Sequence, residues 1–400
     1  MNTPMKRKHR LACRALLLSA LLLTISYASL RLRADTGDCP GGAVTLPFTD
    51  VAGSPFFCQI AAAYFSGLTN GTTPSTYSPS APVTRDQMAA FITRTLDQSL
   101  RRSSRRAALD QFWIPQNANS IGLTSVGTGP YQTRSDGLDV WVANEGGTVS
   151  RVRASDGKLL GTYTGMADVR GIVLARGRVY AVSFDSPGKL YSIDPSLPPG
   201  PATLLSSSLV GQALSVAYDG NKLWVSNGNG QISIINLDPS VTVTNISAGF
   251  VSPQGTIFDG TNIWVTDLDS TIKKLDANGN ILQTIPVGEQ PRQPAFDGMN
   301  LWVPSGLNLT GQITVIRAST GAVLATLTGN GLQRPETAAF DGERVLVTNL
   351  NGNSVSLWRA TSLTPIGTVP MPAGGGPIGA CSDGQQFWIT LNETNKLARF

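Results

Sequence analysis

The chain has 400 residues, with 42 glycines, 25 prolines and 14% charged residues, a composition that favours many short strands joined by turns. Its formal charge of +5 is concentrated at the amino terminus: residues 1–34 carry seven Lys or Arg and no acid, leaving 24 basic against 26 acidic residues beyond them. Within 119–400 there are 18 basic and 20 acidic residues and no single-signed run, which argues against a nucleic-acid-binding face there.

In chain order, Lys6, Arg7, Lys8 and Arg10 precede an apolar run from Ala15 to Leu23 and Ile25, followed by the small residues Ala28 and Ser29. This pattern predicts a secretory signal peptide over 1–34. The run is shorter than the roughly 20 residues that cross a bilayer, so no transmembrane span is expected in the mature protein. The expected location is secreted, extracellular, or in the cell envelope or periplasm. In such an oxidising compartment Cys39 and Cys58, 19 positions apart, are expected to form a disulfide, and Cys381 to be a buried free thiol.

A small helical module is predicted over 35–100. Phe57, Ile60, Ala61 and Tyr64 have helical spacing and end at Gly67. Thr84 and Gln87 have capping-box spacing at the start of a second helix, whose buried face is read as Met88, Phe91, Ile92 and Leu96. The order Phe48, Asp50, Val51, Gly67, Gly71, Tyr77, Pro79 and Thr84-Arg85 resembles one S-layer homology repeat, with Tyr77 in place of Phe and Gln87 in place of Glu. The resemblance implies attachment to cell-wall polysaccharide, with Arg85 as the residue that meets acidic sugar substituents. One repeat is present where such proteins commonly carry three, and a structural cap or assembly element is the other reading. Residues 101–118, with Arg101, Arg102, Arg105 and Arg106, read as a solvated basic linker.

From 119 to 400 the chain repeats. Seven turn glycines, Gly137, Gly177, Gly220, Gly260, Gly298, Gly342 and Gly384, follow at intervals of 40, 43, 40, 38, 44 and 42 residues. Each lies between a short apolar strand and a second strand marked by an aromatic or Leu before Val, Ala or Ile, as in Phe258-Asp259-Gly260-Thr261-Asn262-Ile263-Trp264-Val265. Asp-Gly between alternating strands signals a hairpin. Third and fourth strands, such as Gln231–Ile235 and Ile281–Ile285, complete a four-stranded unit. Such units bury their faces only by stacking, which predicts an all-β, seven-bladed β-propeller of antiparallel blades. Five of the seven tryptophans share the second-strand position and are expected to pack between blades. The last unit lacks a fourth strand, and Ser120–Val126 is expected to supply it. The repeats resemble the YVTN and NHL class of bacterial propellers, which includes lyases, dehydrogenase subunits and interaction scaffolds, so that resemblance implies architecture rather than chemistry.

The single histidine, His9, lies in the predicted signal peptide. The mature chain therefore has no histidine base, no Ser-His-Asp triad and no histidine metal ligand, and no catalytic residue, cofactor or metal is assigned. The related streptogramin-opening lyases use histidine with glutamate and metal, a set with no match here. Asp267 and Asp269 are read as part of a solvated turn. Six residues before each turn glycine the chain should reach the channel mouth, giving Tyr131, Gly171, Leu214, Gln254, Arg292, Glu336 and Ile378. Tyr131, Gln254, Arg292 and Glu336 are the ligand-binding candidates, and Arg292 and Glu336, in adjacent blades, either pair with each other or orient a small polar ligand. The preferred function is a non-enzymatic envelope binding or scaffold protein with an unidentified protein or small-molecule partner. The alternative is a periplasmic lyase or hydrolase acting through carboxylates at the channel mouth.

Overall fold

The structure, a computed structural model, describes residues 34–39, 42–65, 69–93, 121–307 and 309–400. The predicted signal peptide, apart from Ala34, and the basic linker lie outside these residues, as does Leu96. The chain divides into two compact units, Met1–Trp113 and Ile114–Phe400.

In the first unit a hairpin of β1 (Asp35–Cys39) and β2 (Gly42–Leu46) precedes helix α1 (Phe57–Phe65). The hairpin was not expected from the sequence. Leu46, Phe48, Val51, Phe57, Ile60 and Ala61 form the buried cluster. Cys39 and Cys58 are disulfide-bonded with Cα atoms 5.6 Å apart, tying β1 to α1. Asp50 holds the later loop in place: its two carboxylate oxygens accept the backbone N–H groups of Tyr77 and Ser78 at 2.9 and 2.7 Å. The rings of Tyr64 and Tyr77 pack on Phe48 at 5.3 and 5.5 Å.

Residues 85–93 are helical, and the capping box is complete at their start. The Thr84 N–H donates to Gln87 Oε1 at 3.0 Å, and the Gln87 N–H donates to Thr84 Oγ1 at 3.4 Å. Of its expected buried face, Met88 and Ile92 are exposed and Phe91 is half-buried. Helical spacing defines a face, but burial needs an opposing surface, and here the core is made by β2 and α1 instead.

The second unit is a seven-bladed propeller of four-stranded antiparallel sheets. Its innermost strands, in blade order, are Pro130–Ser135, Val169–Ala175, Ala213–Tyr218, Pro253–Phe258, Ala295–Phe296, Pro335–Phe340 and Pro377–Ser382. Each lies beside the next, and the seventh lies beside the first. Closure follows the expected route: Gly122–Ser125 pairs antiparallel with Lys396–Arg399 as the outer strand of blade 7, with Leu123 opposite Ala398. A chain segment more than 270 residues away thus covers the edge left by the last blade.

The seven turn glycines all have positive φ, from 72° to 100°. The preceding aspartate has a second task that spacing alone did not reveal. In five blades its Oδ2 accepts the indole N–H five residues later, at 3.2 Å for Asp136 and Trp141, 2.7 Å for Asp219 and Trp224 and for Asp259 and Trp264, 2.8 Å for Asp297 and Trp302, and 2.9 Å for Asp383 and Trp388. Each Oδ1 also accepts two backbone N–H groups of the turn, as Asp259 does from Thr261 and Asn262. Each tryptophan is fully buried and packs against the following blade, as Trp264 does against Leu301 and Val303. Burial of so large a ring requires its one polar atom to be satisfied, and the turn aspartate supplies the acceptor.

Candidate functional site

At the start of the inner strands, six blades carry a register shift opposite the second strand, for example between Pro253 and Thr256 and between Pro335 and Ala338. Such bulges re-aim side chains, and the mouth residues Tyr131, Leu214, Gln254, Glu336 and Ile378 fall within them. Hydroxyl groups two residues after the second-strand aromatic or leucine lock this geometry across blades. Thr390 Oγ1 accepts the Gly379 N–H at 2.7 Å and donates to the Tyr131 carbonyl of the next blade at 2.7 Å. Thr348 joins Thr337 to Ile378 in the same way, Thr266 joins Gly255 to Arg292, and Ser226 joins Ser215 to Gln254. The repeated Val/Ile-Ser/Thr after the marker residue was the sequence signal for these staples.

Tyr131, Gln254, Arg292 and Glu336 line one cup, together with Leu214 and Ile378; Gly171 is not in its lining. The cup encloses about 30 Å³, room for one or two water molecules. Arg292 and Glu336 pair across the blade boundary, Nε to Oε2 at 3.5 Å, and Arg334 Nε lies 3.1 Å from Glu336 Oε1. Arg292 also donates to Gln254 Oε1 and Gln290 Oε1, each at 3.1 Å. Burial raises the Glu336 carboxyl above its ordinary pKa, opposed by Arg292 and Arg334. Burial likewise raises the Tyr131 phenol, reinforced by the charge of Glu336. The guanidinium of Arg170 packs 5.3 Å from the Tyr131 ring and pairs with Asp168 at 3.1 Å and Glu145 at 3.4 Å. Glu336 is the one carboxylate in the cup lining. A pair of opposed carboxylates for acid–base hydrolysis is therefore not assembled there.

The cup is floored by a polar plug. Gln293 Oε1 accepts from Gln132 Nε2 at 3.2 Å and Ser215 Oγ at 2.8 Å, and Gln293 Nε2 donates to the Thr256 carbonyl at 3.0 Å. Side chains from blades 1, 3 and 5 thus meet across the channel, all four residues buried. Beyond the plug, toward the hairpin turns, lies a larger cavity of about 380 Å³. The offset that locates the cup does not reveal it, because its lining lies toward the other end of the inner strands.

Asp269 lies exposed in the turn 268–270, as expected, but Asp267 ends the strand Ile263–Asp267 and is not solvated. Asp267 is fully buried, accepts the Val251 and Ser252 N–H groups at 2.8 and 2.6 Å, and pairs with Lys273 Nζ at 2.8 Å. Lys273 also reaches Asp269 at 2.7 Å and Thr271 Oγ1 at 2.7 Å. The strand carrying Lys273 runs back beside Asp267, a register that sequence spacing does not display. Cys381 is a buried free thiol whose pKa burial pushes up to about 12. No group of three or more His, Cys, Asp or Glu that would hold a metal occurs among the described residues. Arg85 is exposed on the first turn of helical residues 85–93. No helix among the described residues is long and apolar enough to cross a membrane.

Comparison with known families matches residues 47–89 to the S-layer homology domain. Such a domain points to the cell envelope. No curated protein matches the chain. Among solved structures, hydrazine synthase of Kuenenia stuttgartiensis is similar at TM-score 0.58 and 15% identity, covering 72% of this chain and 98% of that one. The WD40 propeller domain of Doa1 gives 0.58 and 15%, covering 70% and 94%, and streptogramin B lyase gives 0.57 and 15%, covering 71% and 98%. At this identity the likeness concerns the propeller fold alone.

Proposed function

We propose that the protein is exported behind residues 1–34 and held at the cell envelope by its S-layer homology domain, through acidic wall polysaccharide that meets Arg85. Residues 101–118 then serve as a linker to a propeller of the YVTN and NHL class, which acts as a binding platform rather than a catalyst. The observation that carries this reading is the domain match at 47–89, with Arg85 exposed at a helix start. A non-catalytic role is supported by the upper cup, where Arg292 is already engaged by Gln254 and Glu336 and Arg334 also pairs with Glu336.

The test is co-sedimentation with purified cell-wall fractions. The mature chain should pellet with wall, Arg85→Ala should pellet several-fold less, and the unit Ile114–Phe400 should stay in the supernatant. Equal sedimentation of all three rejects attachment through this domain.

A further inference from the structure

The cavity of about 380 Å³ beyond the plug falls in the size range of small-ligand pockets. Its lining differs in chemistry from blade to blade. The aromatic residue two before the turn glycine recurs in four successive blades as Tyr218, Phe258, Phe296 and Phe340, and all four residues are in the cavity lining, each partly buried against an inter-blade core. At the same position blades 7 and 1 carry Ser382 and Ser135. The cavity lining thus takes aromatic residues from blades 3 to 6, and from blades 7 and 1 the polar residues Ser382 and Arg134.

Arg134 is the one charged residue in the lining. Its Nη1 donates to a neutral acceptor, the Thr133 carbonyl, at 2.9 Å. No carboxylate pairs with it among the described residues, whereas Arg151, Arg170, Arg178, Arg292 and Arg344 of the same unit all have one. Desolvation lowers its pKa, the mark of a cation held away from water without a counter-charge. A guanidinium offers five donors in a planar fork that matches a carboxylate, and a half-buried cation beside apolar walls favours an anion that brings its own apolar body.

From this juxtaposition we infer that the cavity at the hairpin-turn end of the channel is a binding site for a small organic carboxylate, its flat ring or short hydrocarbon body against Tyr218, Phe258, Phe296 and Phe340 and its carboxylate on Arg134. The inference rests on the propeller alone and is independent of wall attachment. The plug at Gln293 separates this site from the cup at Arg292.

The test uses the full mature chain, titrated by calorimetry with 2-naphthoate and with its neutral counterpart 2-naphthalenemethanol. Wild type should bind 2-naphthoate saturably and at least tenfold more tightly than the alcohol. Arg134→Met should lower naphthoate affinity at least tenfold and leave alcohol binding within twofold; Arg134→Gln serves in its place if the methionine variant does not fold. Arg153→Gln, which removes an exposed arginine of the same blade, should change neither. Absence of saturable naphthoate binding to wild type, or equal affinity in wild type and the folded Arg134 variant, overturns the assignment.

Discussion

Replacing Lys273 by Met isolates the energetics of the one fully enclosed ion pair in the propeller described above. Among the described residues the change removes the one cation paired with Asp267 and Asp269, with side-chain exposures of 3% for Lys273 and 0% for Asp267. Asp267 keeps its two backbone donors from Val251 and Ser252 but becomes an uncompensated buried charge. Breaking such a pair from one side costs about 3–5 kcal/mol, whereas removing both charges is often nearly neutral. At roughly 2 °C per kcal/mol for a unit of this size, Lys273→Met should lower Tm by about 8 °C. The double variant Asp267→Asn/Lys273→Met should recover most of the loss, leaving a coupling energy above about 2 kcal/mol. Urea denaturation of the isolated Ile114–Phe400 unit, with unchanged m-values, gives the four corners of the cycle. Burial acts to raise the Asp269 pKa, but the bonds from Lys273 and Thr271 outweigh it and hold the pKa below the ordinary aspartate value. Its contribution is therefore present above the unfolded-state value and is lost as pH falls through the folded one. That acid-side loss should shrink in Lys273→Met. A single-variant cost under about 1 kcal/mol would refute the reasoning, because the charge left behind would then be solvated.

Asp259→Ala removes the acceptor of the Trp264 indole and of two turn amides; it should cost about 2 kcal/mol, with a red-shifted tryptophan emission if the ring gains access to water. Reduction, or Cys39→Ala/Cys58→Ala, should destabilise the amino-terminal unit by about 3 kcal/mol through loss of its closed loop while leaving the propeller transition unchanged by calorimetry. Deleting residues 121–126 uncovers the strand Lys396–Arg399 and should produce concentration-dependent association in sedimentation velocity runs. For Glu336, burial raises the folded pKa, so the folded state holds the extra proton between the unfolded and folded values and stability falls as pH rises through that window; Glu336→Gln should flatten that part of the stability profile.

The blades were legible because their signals are local and repeated. A turn glycine at near-constant spacing, preceded by Asp in six of the seven blades, marks each hairpin, and Trp264 and its equivalents mark each second strand, so seven units could be counted from the sequence. The four mouth candidates were also reachable, since a fixed offset from the turn glycine follows the strand rise and brings Tyr131, Gln254, Arg292 and Glu336 to one level of the ring. Lys273 was not, because its partners depend on which strand doubles back beside Asp267. The buried face expected of the second helix differed for a related reason: Met88 and Ile92 have the period of a buried face, but periodicity cannot say whether anything packs against it.

The sequence by itself determined the seven-fold repeat, the strand that closes the ring and the absence of histidine chemistry beyond His9, because each is a property of residue type and spacing along one chain. Only the tertiary structure decided that Gln132, Ser215, Thr256 and Gln293 meet in a plug, that Arg292 is already paired, and that Arg134 shares a cavity with Tyr218, Phe258, Phe296 and Phe340. Those contacts join residues up to 161 positions apart. They arise when strands of different blades converge on one axis, where each side chain's neighbours are set by ring closure rather than by its place in the repeat.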